Sequence, residues 1–502
     1  TPNPKPQTPN PKPQTPERNL FIIMNKLSWL LIALCISGLA LGADKNAWKS
    51  RTVYQILTDR FWRSNGDTRS GCNLGQYCGG DFDGITQQLQ YVKDLGFDAI
   101  WISPVVDNIE GGYHGYWYRN LEKINYHFGD EASLKRLVST AHSMGIWVMV
   151  DVVANHVGPV GFDFNQIYPF NRGYHYHAAC DINDWNNQWQ VENCRLCGLP
   201  DLNQADPFVR SYLKDWIRNQ IQKFGFDGIR IDTVPEVEKS FWTEYTQSAG
   251  VFSIGEILNG NDGYVGSYQN HMDSTLNYGM YYTIKSVFAH GGSMRQIADR
   301  WASNYRSFND VDALGLFVDN HDNPRFLNSN GDWRVFKSAL AFSLTARGIP
   351  IFYYGSEQGF AGGNDPANRE PLWNNMDRNH EIFKMVAAIN KARRIQGANT
   401  APFFEKWVDD NIYAFTRGRF FVGLTNRVSG AYTADIPNTG FNDGQVLCNI
   451  FFSGDCITIK NGKLGLYLGN GEVKIMIPKE SSYFQSSLQS HAESLKGLVT
   501  SE

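Results

Sequence analysis

The sequence has little excess of charge of either sign. Its 502 residues include 46 Lys and Arg and 50 Asp and Glu, which gives a formal net charge of −4. Proteins that bind nucleic acid usually carry a strongly basic face, and this near balance gives no indication of a nucleic-acid partner. The sequence also lacks any Asn-x-Ser/Thr sequon, so N-glycosylation is not expected.

The N-terminal apolar run is short for a membrane span. It extends from Leu27 to Gly42, which is 16 residues, whereas a spanning helix needs about 20. The run follows Met24-Asn25-Lys26 and ends in small residues, the layout of a secretory signal peptide. We therefore expect a signal peptide over 24–43 and a secreted protein. The alternative is a type II membrane anchor with residues 1–23 as a cytosolic tail.

Residues 1–23 and the cysteines support the same interpretation. The first stretch contains TPNPKPQ twice and predicts an extended, disordered segment that the secreted form does not carry. Cysteine is scarce, with eight residues in the chain, and Cys35 is lost with the signal peptide. The others form local pairs that predict disulfides in an oxidising compartment, with Cys197 left over; the pairs are Cys72/Cys78, Cys180/Cys194 and Cys448/Cys456. Metal binding is the alternative, but Cys194-x-x-Cys197 stands alone.

The most informative stretch is GFDGIRIDTVPEV, residues 225–237. Its apolar residues predict a short strand buried on both faces. Arg230 and Asp232 lie two residues apart in it, so alternation places both on one face and in one cavity. Buried charges are costly unless they are paired or used. From this stretch alone, a structural ion pair and a functional site are equally good interpretations.

Three further apolar runs end in polar groups, which favours the functional interpretation. GIWVMVDVVANH carries Asp151, Asn155 and His156; VFSIGEIL carries Glu256; and ALGLFVDNHDNPR carries Asp319, His321 and Asp322. In a parallel barrel the C-terminal strand ends open on one face, where active sites lie. Carboxylates that converge there suggest acid/base chemistry with a carboxylate nucleophile.

These segments resemble the signature regions of the α-amylase family of glycoside hydrolases, and the secreted fungal type most closely. The matching segments are DVVANH (151–156), LPDL (199–202), GIRIDTV (228–234), GEIL (255–258) and FVDNHDNPR (317–325). YHGYW (113–117) and GGNDPANRE (362–370) are similar to the sugar-binding loops of that type. The resemblance covers residues from about 48 to 400. It also implies the first two disulfides and leaves Cys197 free or buried.

The order of predicted elements agrees with a (β/α)8 TIM barrel. Apolar runs predict strands at 52–61, 97–106, 146–153, 226–232, 251–257, 313–319 and 349–354, with a weak one at 274–276. Helices are predicted at 131–144 and from Pro207 to Gly225. The predicted domains are a barrel at 44–154 and 207–404, an inserted calcium-binding domain at 155–206, a C-terminal antiparallel β-sandwich at 405–480 and a tail at 481–502.

The resemblance implies roles for individual residues. Asp232 is expected as the nucleophile, Glu256 as the acid/base and Asp322 as the group that holds sugar hydroxyls in the transition state. Arg230 would keep Asp232 ionised, and Glu256 should have a raised pKa. The expected substrate-binding residues are Gln55, His114, Tyr116, Trp117, His156, Arg230, His321, Asp365 and Arg369.

The resemblance also implies a structural calcium ion. Its expected oxygen ligands are Asn155, Glu192, Asp201 and the main-chain carbonyl of Glu236, and hard oxygen ligands suit Ca²⁺. The sequence departs from the fungal pattern at Pro235-Glu236, where fungal enzymes have Lys-His. A Glu at this place is similar to the branch of the family that degrades cyclodextrin and pullulan. We therefore expect acceptor binding and transglycosylation to differ from those of the fungal enzymes.

Three functions follow from these observations. The first is an α-amylase that hydrolyses α-1,4 bonds inside starch, glycogen and related α-glucans with retention, as a monomer by family default. The second is a neopullulanase or cyclomaltodextrinase. The third is a membrane-anchored, amylase-like accessory subunit of a transporter. The intact carboxylates at 232, 256 and 322 and the 16-residue apolar run argue against the third.

Overall fold

A computed structural model describes residues 44–485 of the chain. The predictions for the extension at 1–23, the signal peptide at 24–43 and most of the tail lie outside the described residues. Within residues 44–485, no helix combines the length and the apolar character needed to cross a membrane.

Eight parallel strands form the central sheet. The strands of the first part of the described chain are β1 (Val53–Ile56), β2 (Ala99–Ile102), β3 (Val106–Asn108), β4 (Tyr118–Ile124), β5 (Trp147–Val152), β6 (Gly228–Ile231), β7 (Phe252–Gly255), β8 (Ser274–Thr275), β9 (Gly315–Leu316) and β10 (Ile349–Tyr353). The sheet runs in the order β8-β7-β6-β5-β2-β1-β10-β9. A parallel bridge between Leu276 and Gly315 joins its two edges. The sheet is therefore a closed barrel, as the sequence predicts.

Helices surround the barrel. They are α1 (Lys45–Trp48), α2 (Thr58–Phe61), α3 (Phe82–Asp94), α4 (Glu131–Ser143), α5 (Gln188–Asn193), α6 (Pro207–Phe224), α7 (Lys239–Ala249), α8 (Asp262–Gly266), α9 (Tyr278–Ile284), α10 (Arg295–Ser307), α11 (Phe326–Ser329), α12 (Trp333–Thr345) and α13 (Glu381–Ile395). The predicted signals set the ends of α6: Asp206 accepts hydrogen bonds from Phe208 N and Val209 N, and Gly225 ends the helix in a left-handed conformation. Helix α4 likewise agrees with the prediction.

The strand predictions identify the right segments but overestimate their lengths. The run 52–61 is a strand only to Ile56, and Thr58–Phe61 is helical. The run 97–106 is paired in the barrel only over Ala99–Ile102. Strand β9 has two residues, although an apolar run of seven predicts it. Apolar residues continue past each ladder because the loops that follow are themselves buried, so hydrophobicity alone does not indicate where pairing stops.

The segment between β5 and α6 contains no barrel strand, and backbone hydrogen bonds join its two ends. Leu202 N donates to Asn155 O at 2.8 Å, and Val157 N donates to Pro200 O at 3.2 Å. The disulfide Cys180–Cys194 closes its central loop. The disulfides Cys72–Cys78 and Cys448–Cys456 form as predicted, and Cys197 is free and exposed.

Antiparallel strands follow the barrel in sequence. They are β11 (Phe403–Val408), β12 (Ile412–Arg417), β13 (Phe420–Thr425), β14 (Ala431–Pro437), β15 (Val446–Asn449), β16 (Cys456–Thr458), β17 (Lys463–Gly469) and β18 (Lys474–Pro478). Six of them pair in the order β11-β12-β13-β18-β15-β16, while β14 pairs with β17. Helix α12, which is buried almost throughout, packs between this sheet and the barrel: the ring of Phe342 contacts Tyr413 and Phe415.

Candidate active site

The C-terminal ends of three neighbouring strands bring the main carboxylates together. Asp151 lies in β5, and it is in register with Arg230 of β6. Asp232 follows β6 directly, and its N–H donates to Val152 O at 3.0 Å. Glu256 follows β7, and its N–H donates to Ile231 O at 2.8 Å. These backbone bonds extend the parallel ladder by one residue and fix both carboxylates at the rim where active sites of such barrels lie.

Arg230 is fully buried and holds three carboxylates. Its Nη1 lies 2.7 Å from Asp232 Oδ1 and 2.9 Å from Asp151 Oδ1, and its Nη2 lies 2.7 Å from Glu256 Oε2. The expectation that Arg230 and Asp232 share one cavity is confirmed. A buried guanidinium is tolerated when carboxylates surround it, and its rigid fork gives each of them a fixed position.

Glu256 is in an environment that favours its protonated form. Burial is the largest cause, and it raises the pKa of this carboxyl well above the ordinary value. Arg230 opposes the increase, while the charge of Asp322 adds to it. The phenol of Tyr278 donates to Glu256 Oε1 at 3.2 Å. The pKa direction agrees with the expectation from the sequence, and a protonated carboxyl in this position can act as an acid.

Asp322 is the most exposed of the three carboxylates expected to be catalytic. Its side chain is 28% exposed, against 10% for Asp232. Asp322 Oδ2 lies 3.4 Å from His321 Nε2, and Oδ1 lies 3.7 Å from Arg369 Nη2. The carboxylate lines the same cleft as Asp232 and Glu256. Its oxygens remain accessible to a ligand in that cleft.

A chain of hydrogen bonds fixes His321 and Tyr116. Gln55 Nε2 donates to His321 Nδ1 at 2.8 Å, so the ring proton is on Nε2, 2.7 Å from the Tyr116 oxygen. The Tyr116 hydroxyl in turn donates to Asp151 Oδ2 at 2.7 Å. Burial lowers the pKa of His321 well below its ordinary value, which keeps the ring neutral. The Tyr116 and His321 rings stack with centroids 5.4 Å apart.

The other predicted histidines are also buried close to this chain. His114 Nδ1 accepts from Tyr116 N at 3.0 Å, and the His114 ring meets Trp117 edge-on. Burial lowers the pKa of both His114 and His156, so each presents a neutral ring. Trp117 and His156 line the cleft directly.

The cleft has a volume of about 530 Å³. Carboxylates lie at its centre and aromatic and apolar side chains around them. The lining residues are Tyr116, Trp117, His156, Trp185, Val191, Leu196, Cys197, Leu199, Asp232, Thr233, Pro235, Glu236, Glu256, Leu258, Asn259, Tyr264, His321 and Asp322. Mixed aromatic and hydrogen-bonding walls of this kind fit a polyhydroxylated ligand whose ring faces are apolar.

Asp365 and Arg369 form an ion pair beside the cleft. Arg369 Nη1 lies 3.0 Å from Asp365 Oδ1, and the Tyr113 hydroxyl lies 3.3 Å from the same oxygen. Arg369 Nε also donates to the carbonyl oxygen of His321 at 3.0 Å. Asp365 is half exposed, whereas Arg369 is buried. The pair therefore extends the polar surface outward from Asp322 and His321.

Three of the four expected calcium ligands meet at one point. One side-chain amide atom of Asn155 lies 2.9 Å from Asp201 Oδ1 and 3.0 Å from the Glu236 carbonyl oxygen. If this atom is the amide nitrogen, it donates a hydrogen bond to both oxygens. If it is the amide oxygen, three oxygens face one another with no hydrogen bond among them, an arrangement that suits a hard cation. Among residues 44–485, no three His, Cys, Asp or Glu side chains are grouped to hold a metal ion. Two of the expected ligands are of other kinds, the side-chain amide of Asn155 and the main-chain carbonyl of Glu236, so a group of His, Cys, Asp and Glu side chains does not include them.

Glu192 and the side chain of Glu236 have other surroundings. Glu192 Oε1 accepts from Gln188 Nε2, 2.8 Å away, and that nitrogen also reaches the Pro235 carbonyl at 3.0 Å. The Glu236 carboxyl is buried at the cleft wall, and its Oε2 has no hydrogen-bond partner among the described residues. The main chain of Glu236 thus faces Asn155 while its carboxyl borders the cleft.

Sequence reasoning gave Asp151 no role in the site and missed Tyr278 and Trp185. Asp151 is visible in the DVVANH segment, but its place between Arg230 and Tyr116 depends on the register of β5 and β6. Tyr278 reaches Glu256 from helix α9, and no pattern in the sequence connects the two. Trp185 lines the cleft from an irregular segment in which its position could not be predicted.

Comparisons with known proteins agree with this geometry. A family model described as alpha amylase, catalytic domain, matches residues 55–417. The chain is 36% identical over 462 residues to the alpha-amylase of Saccharomycopsis fibuligera, a match that covers 87% of this chain and 92% of that protein. It is 41% identical over 458 residues to the beta/alpha-amylase of Paenibacillus polymyxa, which covers 85% of this chain but only 38% of that longer protein.

A similar structure has been solved. The alpha-amylase from Malbranchea cinnamomea superposes with a TM-score of 0.85 at 35% identity, and the match covers 87% of this chain and 98% of that one. The similarity therefore extends through the barrel and the strands that follow it.

Proposed function

We propose that this chain, which belongs to the α-amylase family of glycoside hydrolases, hydrolyses α-1,4-glucosidic bonds within starch, glycogen and related α-glucans. The proposed reaction retains the configuration at the anomeric carbon. The observation that carries the proposal is the single buried guanidinium that contacts both Asp232 and Glu256 at the bottom of the cleft. Two carboxylates held by one fork are close neighbours, and retaining glycosidases have carboxylates about 5–5.5 Å apart.

The first step uses these two groups in different protonation states. Glu256, which burial favours as the acid, gives its proton to the glycosidic oxygen. Asp232 attacks the anomeric carbon as a carboxylate while the bond to the leaving oxygen breaks, and a glycosyl ester forms. Arg230 holds the Asp232 carboxylate in position through Oδ1, which leaves Oδ2 for the attack. Asp322 accepts hydrogen bonds from hydroxyls of the same sugar.

The second step reverses the roles. The Glu256 carboxylate takes a proton from a water molecule, whose oxygen attacks the anomeric carbon. The ester bond to Asp232 breaks, and both carboxylates return to their initial states. Two displacements at one carbon give net retention. His114, His156 and His321 are proposed to hydrogen-bond sugar hydroxyls, and Tyr116 to stack on the sugar at the cleaved bond. His321 would share with the sugar the Nε2 proton that reaches Tyr116 in the free protein.

A calcium ion is proposed to be held by Asn155, Asp201, Glu192 and the Glu236 carbonyl. The positive charge of the bound ion would attract the oxygens of Asn155, Asp201 and Glu236, which otherwise face one another. Asn155, Glu192 and Asp201 belong to the inserted segment and Glu236 to the barrel, so an ion that they share would connect the two. The proposed role is to shape the cleft wall, with no part in bond cleavage.

A second candidate function is hydrolysis of cyclodextrin or pullulan. One observation favours it: Pro235 and the buried carboxyl of Glu236 line the cleft, where fungal enzymes of the family have Lys and His. We propose the endo-acting α-amylase as the main activity because relatives that carry that name match nearly their whole length. The transporter accessory subunit is disfavoured because a non-catalytic subunit has no need for an assembled Arg230, Asp232 and Glu256.

Secretion is also proposed. The three disulfides are typical of proteins that fold in an oxidising compartment. N-terminal sequencing of the protein recovered from a culture medium should give a start near Ala43.

The decisive experiment uses purified protein with calcium and soluble starch. Loss of iodine colour and release of reducing ends are followed together, with cyclodextrin in a parallel reaction. Rapid colour loss with few new ends and slow cyclodextrin turnover is expected for an endo-acting α-amylase. Faster turnover of cyclodextrin than of starch would favour the second candidate. NMR of the first product should show the α-anomer, and a β-anomer would refute retention.

A further inference from the structure

A second, smaller pocket lies outside the cleft, between helix α6 and strand β4. Its volume is about 220 Å³. Residues on one face of α6 form most of its wall, and Glu122 of β4 forms the opposite side. The wall includes Glu122, Phe208, Tyr212, Asp215, Trp216 and Asn219. None of the chemistry described above uses these residues.

Exposed aromatic rings surround this pocket. Phe208 is 46% exposed, stacks on His175 with centroids 5.1 Å apart and meets Tyr212 at 5.7 Å. Tyr174, which is 68% exposed, meets the His175 ring edge-on with centroids 4.6 Å apart. Tyr168 is 51% exposed and hydrogen-bonds through its backbone to β4, beside Glu122. A continuous aromatic surface left in water is informative, because single exposed aromatics are common but connected ones mark binding sites.

The polar groups of the pocket indicate the class of ligand. The carboxylates of Glu122 and Asp215 and the amide of Asn219 offer hydrogen-bond acceptors, and the Tyr212 hydroxyl already donates to Glu122. No Lys or Arg lines the pocket, so an anionic ligand is disfavoured. A neutral ligand with many hydroxyl donors and an apolar face fits aromatic rings and carboxylates together. A sugar ring has both properties.

We propose that this pocket is a second α-glucan-binding site, which holds one stretch of a polysaccharide while another stretch occupies the cleft. The identity of the sugar rests on the proposed function, because the polymer is the substrate assigned there. A chain held at one point raises the effective concentration of its other segments near the cleft. The site should therefore matter for granular or polymeric starch and have no effect on short oligosaccharides.

The test compares two variants with a matched control. Phe208→Ala removes an exposed ring of the pocket, and Asp215→Ala removes an exposed carboxylate that forms an ion pair with Arg218. The control is Phe452→Ala, an exposed Phe far along the chain, 68% exposed. Adsorption isotherms on starch granules are measured in a Glu256→Gln background, which prevents digestion. Hydrolysis of p-nitrophenyl maltoheptaoside is measured in the active background.

Phe208→Ala and Asp215→Ala should each weaken adsorption about three- to tenfold and leave kcat/KM for the short substrate unchanged. Phe452→Ala should change neither. The proposal would be overturned if both pocket variants adsorbed as strongly as the control. It would also be overturned if Phe208→Ala changed the sedimentation behaviour but not the adsorption, because the aromatic surface would then be a protein interface. Failure of the unsubstituted protein to cleave the short substrate would refute the proposed function, and adsorption would still test the pocket. Asp215→Ala keeps the test valid if Phe208→Ala folds poorly.

Discussion

Arg230 Nη2 lies 2.7 Å from Glu256 Oε2, on the same guanidinium whose other nitrogen holds Asp232 at 2.7 Å. One cation thus orients both carboxylates proposed to act at the anomeric carbon. The two side chains come from neighbouring strands, and the parallel ladder between β6 and β7 sets their spacing. A small shift of either strand would therefore change the distance between acid and nucleophile.

Replacement of the proposed acid should abolish activity without loss of the fold. Glu256→Gln keeps the size of the side chain but removes the proton that it donates, and general acid catalysis contributes about 10²–10⁴ to the rate. Starch hydrolysis should fall at least 100-fold, as measured by reducing ends, while the circular dichroism spectrum stays the same. Glu381→Gln, an exposed residue, is the control. Residual activity above about one hundredth of the unsubstituted rate would contradict the role of Glu256.

The alkaline limit of activity should depend on the charge of Asp322. Burial is the main cause of the raised pKa of Glu256, and the nearby negative charge of Asp322 raises it further. The proposed first step needs protonated Glu256, so activity should persist above the ordinary pKa of a glutamate and be lost as the pH rises through the raised value. In Asp322→Asn one cause of the increase is gone, and the alkaline limb of kcat/KM should move to lower pH. A limb that does not move would show that another group sets it.

Arg230 should be needed for both stability and activity. Arg230→Gln leaves buried carboxylates without their cation, and breaking a buried ion pair in this way costs about 3–5 kcal/mol. Arg230→Lys keeps a charge but loses the fork, so Tm should fall less while kcat falls strongly. Thermal unfolding and starch hydrolysis measure the two effects. Arg136→Lys, at an exposed ion pair with Asp83, is the control and should change neither.

The barrel and the positions of the proposed catalytic carboxylates could be predicted because each strand carries its own signal. The runs that end in Asp232 and Glu256 are buried, bounded by glycine and followed directly by a carboxylate, so strand and site are read from the same few residues. The expected pairing of Cys180 with Cys194 was predictable for the same reason, since it is local.

Other features could not be predicted because they depend on contacts between distant segments. Thr58–Phe61 looks like a continuation of β1, but it is helical and entirely buried, with Arg60 bonded to the carbonyls of Leu74 and Gln76. The contact between Tyr278 and Glu256 likewise requires the completed barrel. In each case the residue type is compatible with more than one backbone conformation or side-chain partner, and the packing of distant segments determines which one forms.

Removal of calcium should destabilise the inserted segment. A ligand present at about 100 times its Kd adds about 2.7 kcal/mol to the free energy of unfolding. A chelator should therefore lower Tm, and calcium should restore it. Asp201→Asn should have a lower Tm that no longer responds to calcium. Asp181→Asn, an exposed aspartate in the same segment, should respond like the unsubstituted protein, and an equal response in Asp201→Asn would exclude this residue as a ligand.

The Glu236 side chain should influence the choice of acceptor. Glu236→Gln keeps the carbonyl that faces Asn155 and changes only the carboxyl at the cleft wall. If that carboxyl accepts a hydrogen bond from the sugar on the leaving side, the ratio of cyclodextrin to starch turnover should fall about 2- to 10-fold. Glu238→Gln, in the same loop but paired with Arg210, is the control. An unchanged ratio would show that Glu236 does not contact the acceptor.

The placement of Glu256 among other carboxylates makes its acidity depend on the stage of the reaction. The negative charge of Asp232 is one of the causes that raise the pKa of Glu256. In the proposed mechanism Asp232 loses that charge when it becomes an ester, and this lowers the pKa of Glu256. The Glu256 carboxyl would then hold its proton more strongly while the nucleophile is free and release it more readily while the sugar is attached. The covalent state of one strand end would thus shift its neighbour towards the protonation state that each proposed half-reaction requires.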